Sequence, residues 1–130
     1  MSTHILVVAH EPELRNELDE LLHEQDFEIR STADYHHASS DVAFTRPDIL
    51  VIEDDLPAVS GWETCALMRR RHGIPSVVVG SLPTVEGWPQ AVAVGAETYM
   101  RRPLSRLEIT ARIRAILRRY QLASRQNQSV

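Results

Sequence analysis

The stretch HILVVAHEPEL, residues 4–14, sets the architecture. Ile5–Ala9 is an unbroken apolar run of strand length, the pattern of a strand buried on both faces in a parallel sheet. Pro12 suits a first helical turn. Leu14, Leu18, Leu21 and Leu22 then follow at the spacing of one helix face. Between strand and helix lies a polar corner, Ala9-His10-Glu11. In an open α/β sheet such corners, at the carboxyl ends of the strands, are where ligands bind.

The same alternation repeats along the chain. Phe27–Thr32 alternates as a second strand. Residues 34–45 form a weak helix carried by Asp34, Ala38, Val42 and Ala43. Asp48–Ile52 is a third strand introduced by Pro47. Ser60-Gly-Trp-Glu63 is a capping box that opens a helix to about Arg71, and Ile74-Pro75 ends it. Ser76–Val79 is a fourth strand. Gly87-Trp88-Pro89 puts the start of the fourth helix near Pro89, and Gly95 ends it. Thr98–Arg101 is a fifth strand. A second capping box, Ser105 to Glu108, opens a helix with Ile109, Ile113, Ile116, Leu117 and Tyr120 on one stripe.

This is the α/β class: a three-layer, doubly wound (βα)5 sandwich around a five-stranded parallel sheet, flavodoxin-like. One domain is expected over residues 1–120, with residues 121–130 a frayed polar tail or the start of a linker. The fold brings four loops to one edge: Ala9-His10-Glu11, Glu53-Asp54-Asp55, Gly80-Ser81 and Arg101-Arg102-Pro103.

Composition narrows the function. The longest apolar runs are about five residues, far short of a membrane span, and no signal-peptide pattern opens the chain. The single cysteine, Cys65, sits in a helical pattern and reads as a small buried thiol. A reducing, cytoplasmic setting is expected. Residues 1–63 hold 15 acidic side chains against three arginines, a balance of −12. Residues 64–130 hold three against 11, a balance of +8. All 14 basic residues are arginine, so chemistry that needs a lysine ammonium is absent. The turn AHEPEL lacks the glycines that let a nucleotide phosphate approach the backbone. No nucleophile–base pair marks an enzyme. Direct nucleic-acid binding is not expected from an acidic chain without a helix-turn-helix or a stacking pattern.

Over about residues 4–120 the chain resembles the receiver domain of two-component response regulators. The fragments that carry the resemblance are ILVV with EPELRNELDELL, RPDILVIEDDLPAVSGWE, IPSVVVGS, AVGAETYMRRPLS and LEITARIRAIL. The resemblance implies phosphoryl transfer from a histidine kinase to an aspartate, with acidic residues holding Mg²⁺ and a hydroxyl and a lysine taking phosphoryl oxygens. At the matching positions this chain departs from that pattern. The acidic pair falls on Ala9 and His10, the phospho-acceptor on Glu53, the switch hydroxyl on Gly80 and the lysine on Arg102. Tyr99, the switch aromatic, and Pro103 remain.

These departures point to a degenerate receiver, a pseudo-receiver that acts by phosphorylation-independent protein–protein interaction and without Mg²⁺. Glu11, Glu53 and Asp55 are the weak candidates for a metal. Two readings of Glu53 stay open: an ion pair with Arg102 that crosslinks the third and fifth strands, or a solvated side chain at a site that drifted. His10, beside Glu11, is also open as a titrating group near neutral pH. Gly80 has no side chain with which to move Tyr99, so Tyr99 is expected in one packed rotamer. The expected partners are other signalling proteins, a histidine kinase or an output domain. The expected face is the fourth helix, fifth strand and fifth helix, with Trp88, Arg101, Pro103, Arg106 and Arg114 upon it. The same face serves a homodimer in which Arg106 and Arg114 reach Asp48 or Glu97 of a second copy. The alternatives are an active receiver that accepts phosphate at Glu53, Asp54 or Asp55, and a regulatory fragment of a larger protein with a DNA-binding or enzymatic output domain.

Overall fold

The computed structural model describes residues 2–24 and 26–128. Strands and helices alternate: β1 (Thr3–Val8), α1 (Pro12–Leu21), β2 (Phe27–Thr32), α2 (Tyr35–Thr45), β3 (Ile49–Glu53), α3 (Gly61–His72), β4 (Ser76–Gly80), α4 (Thr84–Val94), β5 (Thr98–Arg101) and α5 (Arg106–Gln128). The five strands form one parallel sheet in the order β2-β1-β3-β4-β5. The three-layer doubly wound sandwich read from the sequence is the fold observed.

The sheet divides the core in two. Ile5, Val7, Ile49 and Val51 face α1 and α5, where Leu14, Leu18, Ile109 and Ile113 meet them. Leu6, Val8, Leu50 and Ile52 face α2, α3 and α4, where Met68 and Ala91 pack. All residues of β3 and β4 are buried, which is why those strands read as apolar runs without alternation. Each helix of the α2–α3–α4 layer has a local stop or start. Asp34 accepts from the His37 N–H at 2.9 Å at the start of α2. Ser60 accepts from the Glu63 N–H at 3.1 Å at the start of α3. Gly73 and Gly95 close α3 and α4 in the left-handed region, with φ of 67° and 79°.

Two boundaries differ from the sequence reading. Helix α4 starts at Thr84, five residues before Pro89. Its first turn forms on Pro83, whose carbonyl accepts from both Glu86 and Gly87 N–H at 2.9 Å. Pro89 and Val85 are both exposed, so the bond that Pro89 cannot give to Val85 is lost on the solvent side. The expected frayed tail is helical to Gln128, because residues 121–128 contain neither glycine nor proline to stop α5. Residues 129 and 130 lie outside the described residues. Cys65 is fully buried, and burial pushes its thiol pKa up, as a packing residue requires. No described helix is long and apolar enough to cross a membrane.

Candidate functional site

The loops after β1, β3, β4 and β5 meet around a cleft of about 560 Å³. Glu11, Glu53, Asp54, Asp55, Trp62, Gly80 and Arg102 are among the residues that line it. The edge expected from the sequence is therefore the edge that forms, but its contacts differ from those expected.

Glu53, the last residue of β3, is 7% exposed. Its carboxylate does not meet Arg102. Oε1 accepts from the backbone N–H of His10 at 2.8 Å and of Glu11 at 3.3 Å. Glu11 is the N-cap of α1, where unpaired N–H groups and the helix field favour a negative charge. The side chain is long enough to reach across the sheet edge to that helix end, so β3 is tied to the β1–α1 corner. Arg102 turns outward instead. One guanidinium nitrogen donates to Glu11 and the other to Glu17, each at 3.2 Å, so the fork clasps two carboxylates of the α1 region. Arg15 fastens the same corner from below, donating to the carbonyls of Ala9 at 2.7 Å and His10 at 3.0 Å.

The weak metal candidates Glu11, Glu53 and Asp55 share the cleft, but their side chains are engaged separately. Glu53 is held by backbone N–H groups, Glu11 by Arg102, and Asp55 is exposed. Ala9 is buried with its methyl in the core, and His10 is exposed. Among the described residues no three His, Cys, Asp or Glu side chains converge as a metal site needs.

Asp54 is half-buried and points at Gly80. A Cβ on Gly80 would overlap the Asp54 carboxylate, so the carboxylate fills the room a side chain at position 80 would take. Burial pushes the Asp54 carboxyl above its usual range, helped by the charges of Asp55 and Glu53. An acid whose folded pKa is raised weakens the fold as pH climbs from its unfolded value, near 3.8, through the folded one. Asp54→Asn is therefore expected to raise the melting temperature at neutral pH. It should change nothing below the unfolded pKa, where both side chains are neutral. Half-exposure screens the effect, so the gain is modest. Thermal melts across this pH range check it.

Tyr99 is 5% exposed. Its ring stacks on Trp62 at 5.8 Å between centroids and 24° between planes, and its hydroxyl donates to the Leu82 carbonyl at 3.1 Å. Burial, then the nearby Asp54 charge, pushes the phenol pKa up. The ring is thus packed inward in this structure.

The proposed partner face needs two corrections. Arg106 donates to the carbonyls of Leu21 and His23, and Arg114 forms a two-pronged ion pair with Asp26 at 2.8 and 3.1 Å. Both therefore lie on the α1 side of α5. Their intended acceptors are used within the chain as well. Asp48 accepts from the His4 N–H, and Glu97 from Tyr120 and Arg119. Trp88, Arg101 and Pro103 are exposed. The sequence reading missed Val85 and Val92, which join Trp88 in an exposed stripe on α4. Their spacing is the signal, hidden by the expectation that the helix starts near Pro89. Arg15, Glu17 and Trp62 were also missed. Nothing in their spacing marks them, since side-chain direction alone brings them to the site.

The family model described as "Response regulator receiver domain" matches residues 5–114. Sensory transduction protein RegX3 of Mycolicibacterium smegmatis is 32% identical over 117 residues, 90% of this chain and 51% of that protein. DNA-binding response regulator MtrA of the same organism is 30% identical, covering 92% of this chain and 52% of that protein. The chain thus spans about half the length of these curated relatives. Among solved structures, NtrX from Brucella abortus superposes with a TM-score of 0.91 at 19% identity, over 100% of this chain and 30% of that one. A two-component response regulator from Clostridium difficile gives 0.83 at 24%, over 92% and 98%.

Proposed function

The chain belongs to the response regulator receiver domain family, and from that premise we propose that it signals by protein–protein contact without aspartyl phosphorylation. The observation that carries the reading is the bonding of Glu53. A phospho-acceptor must present a free carboxylate oxygen beside a bound cation. Glu53, at the position of the acceptor, is buried, and its Oε1 is turned onto the backbone N–H groups of His10 and Glu11, at the corner where the family's metal-binding acids would stand. The Mg²⁺ that the family's reaction uses finds no fitting donor set. Ala9 offers none, His10 is a poor oxygen substitute, and Glu11 is engaged by Arg102. In place of metal and phosphoryl group the site carries fixed internal contacts. On this reading the chain catalyses no turnover of its own.

The contact surface is the outer face of α4. Val85, Trp88 and Val92 are 80, 47 and 60% exposed, and they recur at helical spacing. Arg101, at the end of the neighbouring strand β5, is also exposed, and tryptophan and arginine are usual interface anchors. The occupant is another signalling protein, a second copy, or an output domain. Trp88→Ala is expected to leave the melting temperature almost unchanged and to weaken whatever complex this face forms.

The test of the central point is incubation with Mg²⁺ and a small-molecule phosphodonor, followed by mass spectrometry of the intact chain. No phosphoryl adduct is expected. An adduct would support the second reading, an active receiver that accepts phosphate at Glu53, Asp54 or Asp55 in the cleft.

A further inference from the structure

We infer that Gly87 is a seat for the Tyr99 ring, and that Trp62 and Gly87 together clamp the ring so that α4 holds one position whatever occupies the cleft. The inference rests on the reading above and adds its conformational consequence.

Two absences of a side chain frame this aromatic. At Gly87, on the buried face of α4, an added Cβ would lie 2.5 Å from both Cδ2 and Cε2 of Tyr99. The helix thus approaches the Cδ2–Cε2 side of the ring more closely than any other residue type allows. Trp62 of α3 stacks on the same ring, and the hydroxyl is held by the Leu82 carbonyl in the loop leading to α4. Three elements therefore close on one side chain. At Gly80, the end of β4, no side chain is available to push or pull the ring, and Asp54 fills that room instead. Glycine inside a helix is costly relative to alanine, so its place at 87 is explained by the space it leaves rather than by helix formation.

The consequence concerns α4. Gly87 is seated on the ring while Val85, Trp88 and Val92 of the same helix point outward. A helix anchored there presents that stripe permanently, with no event in the cleft needed to expose it.

A double-mutant cycle tests the seat. Gly87→Ala should lower the unfolding midpoint in the native chain, because the new methyl collides with the ring. In the Tyr99→Ala background the same change should raise the midpoint, because alanine is the better helix former and the ring is gone. Equal effects in the two backgrounds would overturn the proposal. A measurement on the unaltered chain guards against variants that fail to fold. Nuclear Overhauser contacts between the Tyr99 ring protons and the Gly87 α-protons should be strong, and unchanged by Mg²⁺ with beryllofluoride. Their absence, or their loss on that addition, would also overturn it. A phosphoryl adduct in the assay above would refute the phosphorylation-independent reading while leaving the cycle's result to stand by itself.

Discussion

Tyr99→Ala is expected to cost about 3–5 kcal/mol of stability, the usual range for deleting a buried aromatic side chain. The ring is 5% exposed, stacked on Trp62 and pressed against Gly87, so its removal leaves a cavity between three elements that cannot close without moving a helix. Tyr99→Phe should cost only about 1 kcal/mol, the net worth of the bond to the Leu82 carbonyl. Urea unfolding of the two variants beside the native chain measures both. A cost for Tyr99→Ala near that of Tyr99→Phe would mean that the ring spends much of its time outside the site.

The second large effect concerns Glu53, where the order of three substitutions matters more than any single value. Glu53→Gln keeps the oxygen that takes both N–H groups and loses only the charge, so the cost is about 1 kcal/mol. Glu53→Asp retracts the carboxylate by one methylene and gives up both contacts. Glu53→Ala removes the acceptor altogether. Each N–H left without a partner costs about 1–3 kcal/mol. The cleft admits water, which places the alanine variant near the low end, at about 2 kcal/mol. The expected stability order is therefore Glu, Gln, Asp, Ala. The aspartate variant is the informative one, since it restores the family's residue in chemistry. If Asp and Gln were both neutral, Glu53 would be a solvated side chain at a drifted site, the reading left open by the sequence.

How far the sequence could be read follows from what each feature depends on. The strands were legible because β1, β3 and β4 are buried on both faces, and burial alone writes an apolar run. The serine caps at Ser60 and Ser105 were legible because their bonds are local, each hydroxyl accepting from the N–H three residues on at 3.1 and 3.3 Å. The positions of the site were legible because strand ends in this fold share one edge. The bonding of the site was not. Whether Glu53 reaches Arg102 or the α1 N-terminus is settled by two side-chain rotamers and by competition from Glu11 and Glu17 for the same guanidinium. Spacing contains neither. The start of α4 was misread for a different reason. Gly87 and Pro89 are helix breakers by propensity, and both are kept by tertiary demands, one by the ring it seats and the other by its exposed position. That misreading also hid the α4 stripe, since Val85 and Trp88 share a face only if the helix begins before them. The α5 arginines were misplaced because a helix stripe gives the buried side but not which neighbour lies left or right of it. The pair of Arg114 with Asp26 settles that.

The most direct test of the central claim is a titration of the isotopically labelled chain with Mg²⁺ and beryllofluoride, a mimic of the phosphoryl group, followed through amide chemical shifts. No saturable shift is expected at Glu53, Asp54, Gly80 or Arg102, and none at Tyr99. Saturable shifts that begin at Glu53 and spread through Gly80 to Tyr99 would contradict that claim, since they would mean that the cleft still takes a cation and a phosphoryl group and still moves its aromatic in response.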